Sequence, residues 1–167
     1  MDWGRWFRHL FYTNGAMRRA FPPATLDAIE AEITESETLH DAEIRFAVEG
    51  ALEPAGVWRG KKPRDRALEV FAGLGVWDTE HNNGVLIYVL LADHDVEIVA
   101  DRGYNERVTR EQWAAVCDEM RGMFRQDRFR EGSLVGVRAV DKLVMPHFPP
   151  RKGPRKADEL PNRPTML

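Results

Sequence analysis

The sequence predicts an α/β protein: a three-layer α/β/α sandwich with a small mixed sheet of three to four strands, in the order α-β-α-β-β-α-α. Three observations carry this reading. Helical spacing and two-residue alternation take turns along the chain, and one strand-like run is apolar on both alternations, so it needs cover on both faces. Hydrophobic residues make up 43% of the chain, with 8 Phe and 5 Trp, enough for one packed core. A length of 167 residues nearly excludes a second full-sized domain. The chain divides into an aromatic, basic N-terminal segment (1–21), a body (22–148) and a proline-rich basic tail (149–167).

Each element has its own signal. Pro22-Pro23-Ala24-Thr25 opens a first helix, with Leu26, Ile29 and Ile33 on one face and Asp27, Glu30 and Glu32 on the other. Residues 42–49 alternate Ile44, Phe46 and Val48 against Glu43, Arg45 and Glu49, the pattern of a strand with one buried face. The stretch containing Pro54, Gly56 and Gly60 reads as irregular. Pro63 stands in the first turn of a second helix, marked by Ala67, Val70, Phe71 and Leu74 and ending near Gly75. Residues 84–91 (GVLIYVLL) form the central strand, joined to the first by a parallel helical crossover. A turn at Asp93-His94 leads antiparallel into residues 96–101; centred there, it sets Asp101 opposite Leu86 and Gly103 opposite Gly84. Thr109 and Gln112 form a capping box for a third helix through Trp113, Val116, Cys117, Met120 and Phe124. A fourth runs from about 133 to 145, with Gly132 and Gly136 one turn apart and Pro146 as its stop. The tail holds five of the ten prolines and few apolar residues, so it is expected to be extended, partly disordered and dispensable for folding.

The net charge of −3 conceals a segregation. The first 21 residues carry four Arg against Asp2, and residues 147–167 carry five Lys/Arg against Asp158 and Glu159; each end is thus +3, which leaves −9 between them. An acidic body argues against a nucleic-acid partner. The single Cys117 excludes an intramolecular disulfide framework, and with five scattered His it leaves no structural zinc site. No apolar run is long enough to cross a bilayer and the N-terminus lacks a secretory pattern, so a cytoplasmic setting is expected. The N-terminal segment is similar to an interfacial helix and reads either as a flap on its own domain or as a peripheral membrane contact.

Familiar catalytic signatures fail on context. Gly73-Leu74-Gly75 ends a helix where a dinucleotide loop would begin one, and GxxxxGK[ST], GxSxG and HExxH are missing. Cys117 falls on a packing face, and Asp93-His94-Asp95 is a turn. What remains is a rim where residues 78–84 meet residues 101–106 across the hairpin. It supplies Asp78, Glu80, Asn82, Asn83, Asp101, Asn105 and Glu106, with Gly84 and Gly103 permitting close backbone approach. Oxygen donors on loops suit Ca²⁺ or Mg²⁺ and do not suit Zn²⁺. The candidate metal ligands are Asp78, Glu80, Asn82, Asn83, Asp101 and Asn105.

Several of these stretches resemble the TPM domain family: FAGLGVWDTEHNNGVLIYVLL, then Ala100-Asp101-Arg102-Gly103-Tyr104-Asn105, Glu111-Gln112-Trp113 and Phe129-Arg130-Glu131-Gly132-Ser133-Leu134. The resemblance spans about residues 24–148. Ala42-Glu43-Ile44-Arg45 looks like the family's first strand, and His147-Phe148-Pro149-Pro150 with Asp158-Glu159-Leu160-Pro161 resembles its soluble, single-domain bacterial branch. It implies an α/β/α sandwich, acid phosphatase activity in plant members, and divalent-cation binding in soluble bacterial relatives. The matched positions are Asn83, Gly84, Asp101 and Gly103, with Asp78 in a loop where the family is also polar.

The favoured expectation is a Ca²⁺-binding domain, with Mg²⁺ as the second choice, that recognises a protein partner without strong catalysis. A first alternative is a metal-assisted phosphomonoester hydrolase in which Asp101 positions water and Arg102 stabilises developing charge. A second is a peripheral membrane adaptor working through residues 1–21. The sequence leaves the natural partner and the oligomeric state open.

Overall fold

Strand β2 (Gly84–Leu90) is buried at every position, as its double apolar alternation requires. The computed structural model describes residues 2–150 and 159–167. Before β2 come α1 (Trp3–Phe11), α2 (Asn14–Ala20), α3 (Pro23–Ser36), β1 (Glu43–Glu49), α4 (Pro54–Trp58) and α5 (Pro63–Gly73). After it come β3 (Asp95–Ala100), α6 (Arg110–Phe124), α7 (Phe129–Val144) and β4 (Thr165–Met166). The sheet order is β3-β2-β1-β4. β1 is parallel to β2 and β4, and β3 is antiparallel to β2.

Alternate residues of β2 feed two cores. Val85, Ile87 and Val89 pack with Ile29 and Ile33 of α3, Met120 and Phe124 of α6, and Val137 and Val140 of α7. Leu86, Tyr88 and Leu90 pack on the other face with Val57, Ala67, Val70 and Leu160. The layers are therefore the α/β/α sandwich that the sequence predicts. The capping box is present, with Thr109 Oγ1 accepting from Gln112 N–H and Gln112 Oε1 from Thr109 N–H.

Four local expectations need correction. The stretch around Pro54 is the short helix α4, begun by that proline in its first turn. α7 starts at Phe129, before Gly132 and Gly136, because those glycines are where it lies against α6: a Cβ on Gly136 would sit 2.3 Å from Met120 Sδ. The hairpin register differs by two residues, with Leu86 opposite Val99. Its connection is a 3-10 turn (Leu91–Asp93) closed by His94 in the left-handed region at φ 49, longer than a two-residue turn. Finally, β1 is buried on both faces, because the returning chain end, the second core and Arg66 cover the face that carries Arg45, Ala47 and Glu49.

The expectation of an unanchored tail fails for residues 159–167. Leu160 is buried in the second core, and Leu167 N–H donates to Val48 O at 2.9 Å. The buried Arg45 guanidinium donates to the carbonyls of Pro161 and Arg163 and, at 2.7 Å, to Thr165 Oγ1. Burial lowers the pKa of this arginine, which binds carbonyl dipoles in place of the solvent predicted for the polar side of β1. The remainder of the tail expectation falls on residues 151–158, outside the described residues. On the opposite edge of the sheet, Arg64 and Arg121 donate to the outward carbonyls of Ile98 and Val96 and so cover β3.

Candidate functional site

At the rim where β2 begins and β3 ends, the loop before Gly84 is fastened to a 3-10 turn at Arg102–Tyr104. Asp101 N–H donates to Gly84 O at 2.9 Å and Gly103 N–H to Asn82 O at 3.0 Å. Both approaches require glycine. A Cβ on Gly84 would lie 2.0 Å from Val76 O, and one on Gly103 2.3 Å from Asn82 O. Asn82 adopts the left-handed region at φ 53, which asparagine tolerates better than most residues.

The side chains complete a partial network. Asp101 Oδ1 accepts Arg102 N–H at 2.7 Å and caps the turn, while Arg102 Nε donates to Asn82 Oδ1 at 2.7 Å. The Tyr104 hydroxyl donates to Asn83 O at 2.8 Å, and Asn83 Nδ2 donates to Asp41 O. Two buried oxygens are left over: Asn83 Oδ1 and Asp101 Oδ2 have no hydrogen-bond partner among the described residues. The local field is negative. Burial pushes the Tyr104 hydroxyl well up, and Asp101, Asp41 and Glu43 push it further, against Arg107. Asp41 and Glu43 carry no rim signal in the sequence, where Glu43 reads as a polar position of the first strand; the Asn83–Asp41 contact and the Glu43 N–H bond to Asn83 O, at 3.3 Å, join them to the rim.

Of the predicted ligands, Asn82 and Asp101 are joined through Arg102, and Asn83 lies beside them on the same loop with its amide on Asp41 O. Asp78, Glu80 and Asn105 are exposed on the same loops. Asp78 N–H bonds to Gly75 O, Asn105 N–H ends the turn on Arg102 O, and Glu80 N–H donates to the Glu159 carboxylate at 3.0 Å. Among the described residues no three of His, Cys, Asp and Glu converge as metal ligands. A cation here would therefore take one carboxylate, a side-chain amide, carbonyls and water, a donor set of hard oxygens that fits Ca²⁺ or Mg²⁺. Access is open, since Asp101 and Asn105 line a groove of about 450 Å³ that runs past Tyr104 to Trp113. Cys117 adds no nucleophile: burial pushes its thiol up to about 11.

A second polar cluster sits at the other end of the strands. Glu49 Oε2 accepts from the Tyr88 hydroxyl at 2.6 Å and Arg66 Nε at 2.8 Å. The hydrogen bond to Glu49 raises the Arg66 pKa despite burial. Beyond β2, Asp93 is held by Arg5 and His9. There the buried charges close on one another.

A family model described as the TPM domain matches residues 17–143. The solved structure of the BA42 protein from the psychrophilic bacterium Bizionia argentinensis is 30% identical, with a TM-score of 0.74 over 86% of this chain and 93% of that one. The N-terminal domain of a protein from P. gingivalis, 20% identical, shares the fold at a TM-score of 0.58 over 75% of this chain and 77% of that one. No curated protein matches the chain. Among the described residues, no helix is long and apolar enough to cross a membrane.

Proposed function

The chain belongs to the TPM domain family, and from that premise we propose that it is a divalent-cation-binding domain whose loaded rim recognises a protein partner. The observation that carries this reading is the pair of buried oxygens without donors, Asn83 Oδ1 and Asp101 Oδ2. Buried acceptors are nearly always paired, and leaving one unpaired costs about 1–3 kcal/mol. A hard cation supplies to both oxygens what no nearby N–H supplies. Asp101 and Asn83 would hold it directly, with Asn82 beside them and Asp78, Glu80 and Asn105 contributing through water. With one half-buried carboxylate, affinity should fall in the weak range of roughly 10⁻⁴–10⁻³ M, Ca²⁺ being favoured over Mg²⁺ because it accepts irregular oxygen shells.

Hydrolysis of a phosphomonoester would draw on Arg102 beside Asp101. Arg102 commits its Nε to Asn82, however, and the reaction needs a group that activates and aims water. Turnover of p-nitrophenyl phosphate at neutral pH should be weak or absent. Saturable, metal-dependent turnover lost in both Asp101→Asn and Arg102→Ala would reverse this view. The cation reading is tested by titrating Ca²⁺ into the full chain and following backbone amide resonances. Those of Asn83, Gly84, Asp101 and Gly103 should move together and saturate at roughly millimolar Ca²⁺. Saturating shifts confined to other loops would place the site elsewhere.

A further inference from the structure

Helix α1 is built inside out. Its helical wheel puts Trp3, Trp6, Phe7, Leu10 and Phe11 on one side and Arg5, Arg8 and His9 on the other. A surface helix ordinarily buries the first side and shows the second. Here Arg5 and His9 of the polar side face the domain, while Arg8 stays exposed. Arg5 Nε donates to Asp93 Oδ2 at 2.9 Å, and His9 Nε2 stands 3.0 Å from Asp93 Oδ1. The buried His9 accepts the Leu52 N–H on Nδ1 at 2.9 Å, so its ring hydrogen lies on the nitrogen that meets Asp93. These contacts fix the helix with most of its apolar side outward: Trp3 is 56% exposed, Phe7 48% and Phe11 70%, and Trp6 alone of that side packs against the second core. Trp58 of α4, also 56% exposed, extends the patch by an edge-to-face contact with Trp3 at 5.7 Å.

We propose that this face docks on an anionic lipid surface. A short helix with Trp, Phe and Leu on one side and Arg on the other has the composition of one lying flat at a membrane interface. The charge distribution selects an anionic surface. Arg8, Arg18, Arg19 and Arg59 are exposed on α1, α2 and the end of α4, and the first 21 residues carry only Asp2 against their four arginines. Residues 22–146 carry −9, so an anionic bilayer attracts this end and repels that body, which orients the domain. Face-to-face pairing of two copies would instead set these arginines against one another. Docking through α1 leaves the rim at the far end of β2, clear of the lipid.

The test uses the full chain with vesicles of phosphatidylcholine alone and of phosphatidylcholine mixed with phosphatidylglycerol, in EDTA so that calcium bridging does not contribute. The mixed vesicles should pellet the protein and shift its tryptophan emission to the blue, whereas phosphatidylcholine alone should do so far less. The pair Phe7→Ser/Phe11→Ser should weaken partitioning at least about tenfold, since each exposed ring then buries in lipid no more. Trp3→Ser/Trp58→Ser, on two different helices, should do the same, with thermal melting confirming that both variants stay folded. Wild-type protein that ignores both vesicle types would overturn the proposal. So would variants that partition like wild type, or a lipid-free dimer in sedimentation equilibrium that Phe7→Ser/Phe11→Ser dissolves.

Discussion

The two ends of the β1–β2 pair treat their buried acceptor oxygens in opposite ways. Where the strands finish, Glu49 accepts from Tyr88 and Arg66, and Asp93 accepts from Arg5 Nε, while Arg5 Nη2 and His9 Nε2 stand at ion-pair distance from it without a hydrogen bond of their own. Where β2 begins, Asn83 and Asp101 each keep a buried oxygen without a donor. A closed network of this kind adds stability and fixes geometry, and an open one keeps coordination in reserve for a ligand.

The largest effect expected is from removing residues 159–167. That deletion strips Arg45 of its acceptors and opens the second core at Leu160. Urea denaturation should show a loss of about 3–5 kcal/mol. A loss below about 1 kcal/mol would show that the chain end is an accessory and that the rim needs no support from it.

Next comes a paired comparison. Glu49→Ala leaves the Arg66 guanidinium and the Tyr88 hydroxyl without their acceptor and should cost about 3 kcal/mol. Asp101→Asn keeps an oxygen to cap the 3-10 turn and removes a poorly satisfied charge, so without metal it should change stability by no more than about 0.5 kcal/mol in either direction. Equal losses in the two variants would break the distinction between the ends.

A smaller effect is expected in acid. Burial alone would raise the Asp93 carboxyl, but its bonds to His9 and Arg5 outweigh that and hold it at about 2. Its unfolded value is roughly 4, so the group favours the native state above that pH, and the contribution disappears as pH falls from about 4 towards 2. Tryptophan emission of α1 should change in that window, and Asp93→Asn should abolish the change. A transition that survives in Asp93→Asn would mean that other groups hold the helix.

Much of this fold was legible because it is encoded locally. The double alternation of residues 84–91, the Thr109/Gln112 capping box and the Pro63 helix start each act within one element. The Asn82-Asn83-Gly84 run also marks the rim, since asparagine and glycine are what a left-handed residue at Asn82 and a close approach at Gly84 select. The illegible parts are nonlocal. β4 is two residues long and exists through its pairing with β1. Arg45 and Glu49 alternate as surface residues would, and only the returning chain end and Arg66 turn them into buried ones. The same holds for Asp41, which reaches the rim through its carbonyl, a group that every residue has. The register error arose at the turn, where four loop residues and two give the same side-chain parity and leave the alternation unchanged.

The most direct test of the reading of the rim is a thermal melt of wild type and Asp101→Asn, each in EDTA and in Ca²⁺ at about ten times the wild-type Kd. Binding to the folded state alone should stabilise wild type by about 1.4 kcal/mol, a rise of roughly 3–5 °C. Asp101→Asn should lose most of that rise while melting like wild type in EDTA. An equal rise in both proteins would contradict the assignment of Asp101 Oδ2 to the cation, and no rise in wild type would contradict the site itself.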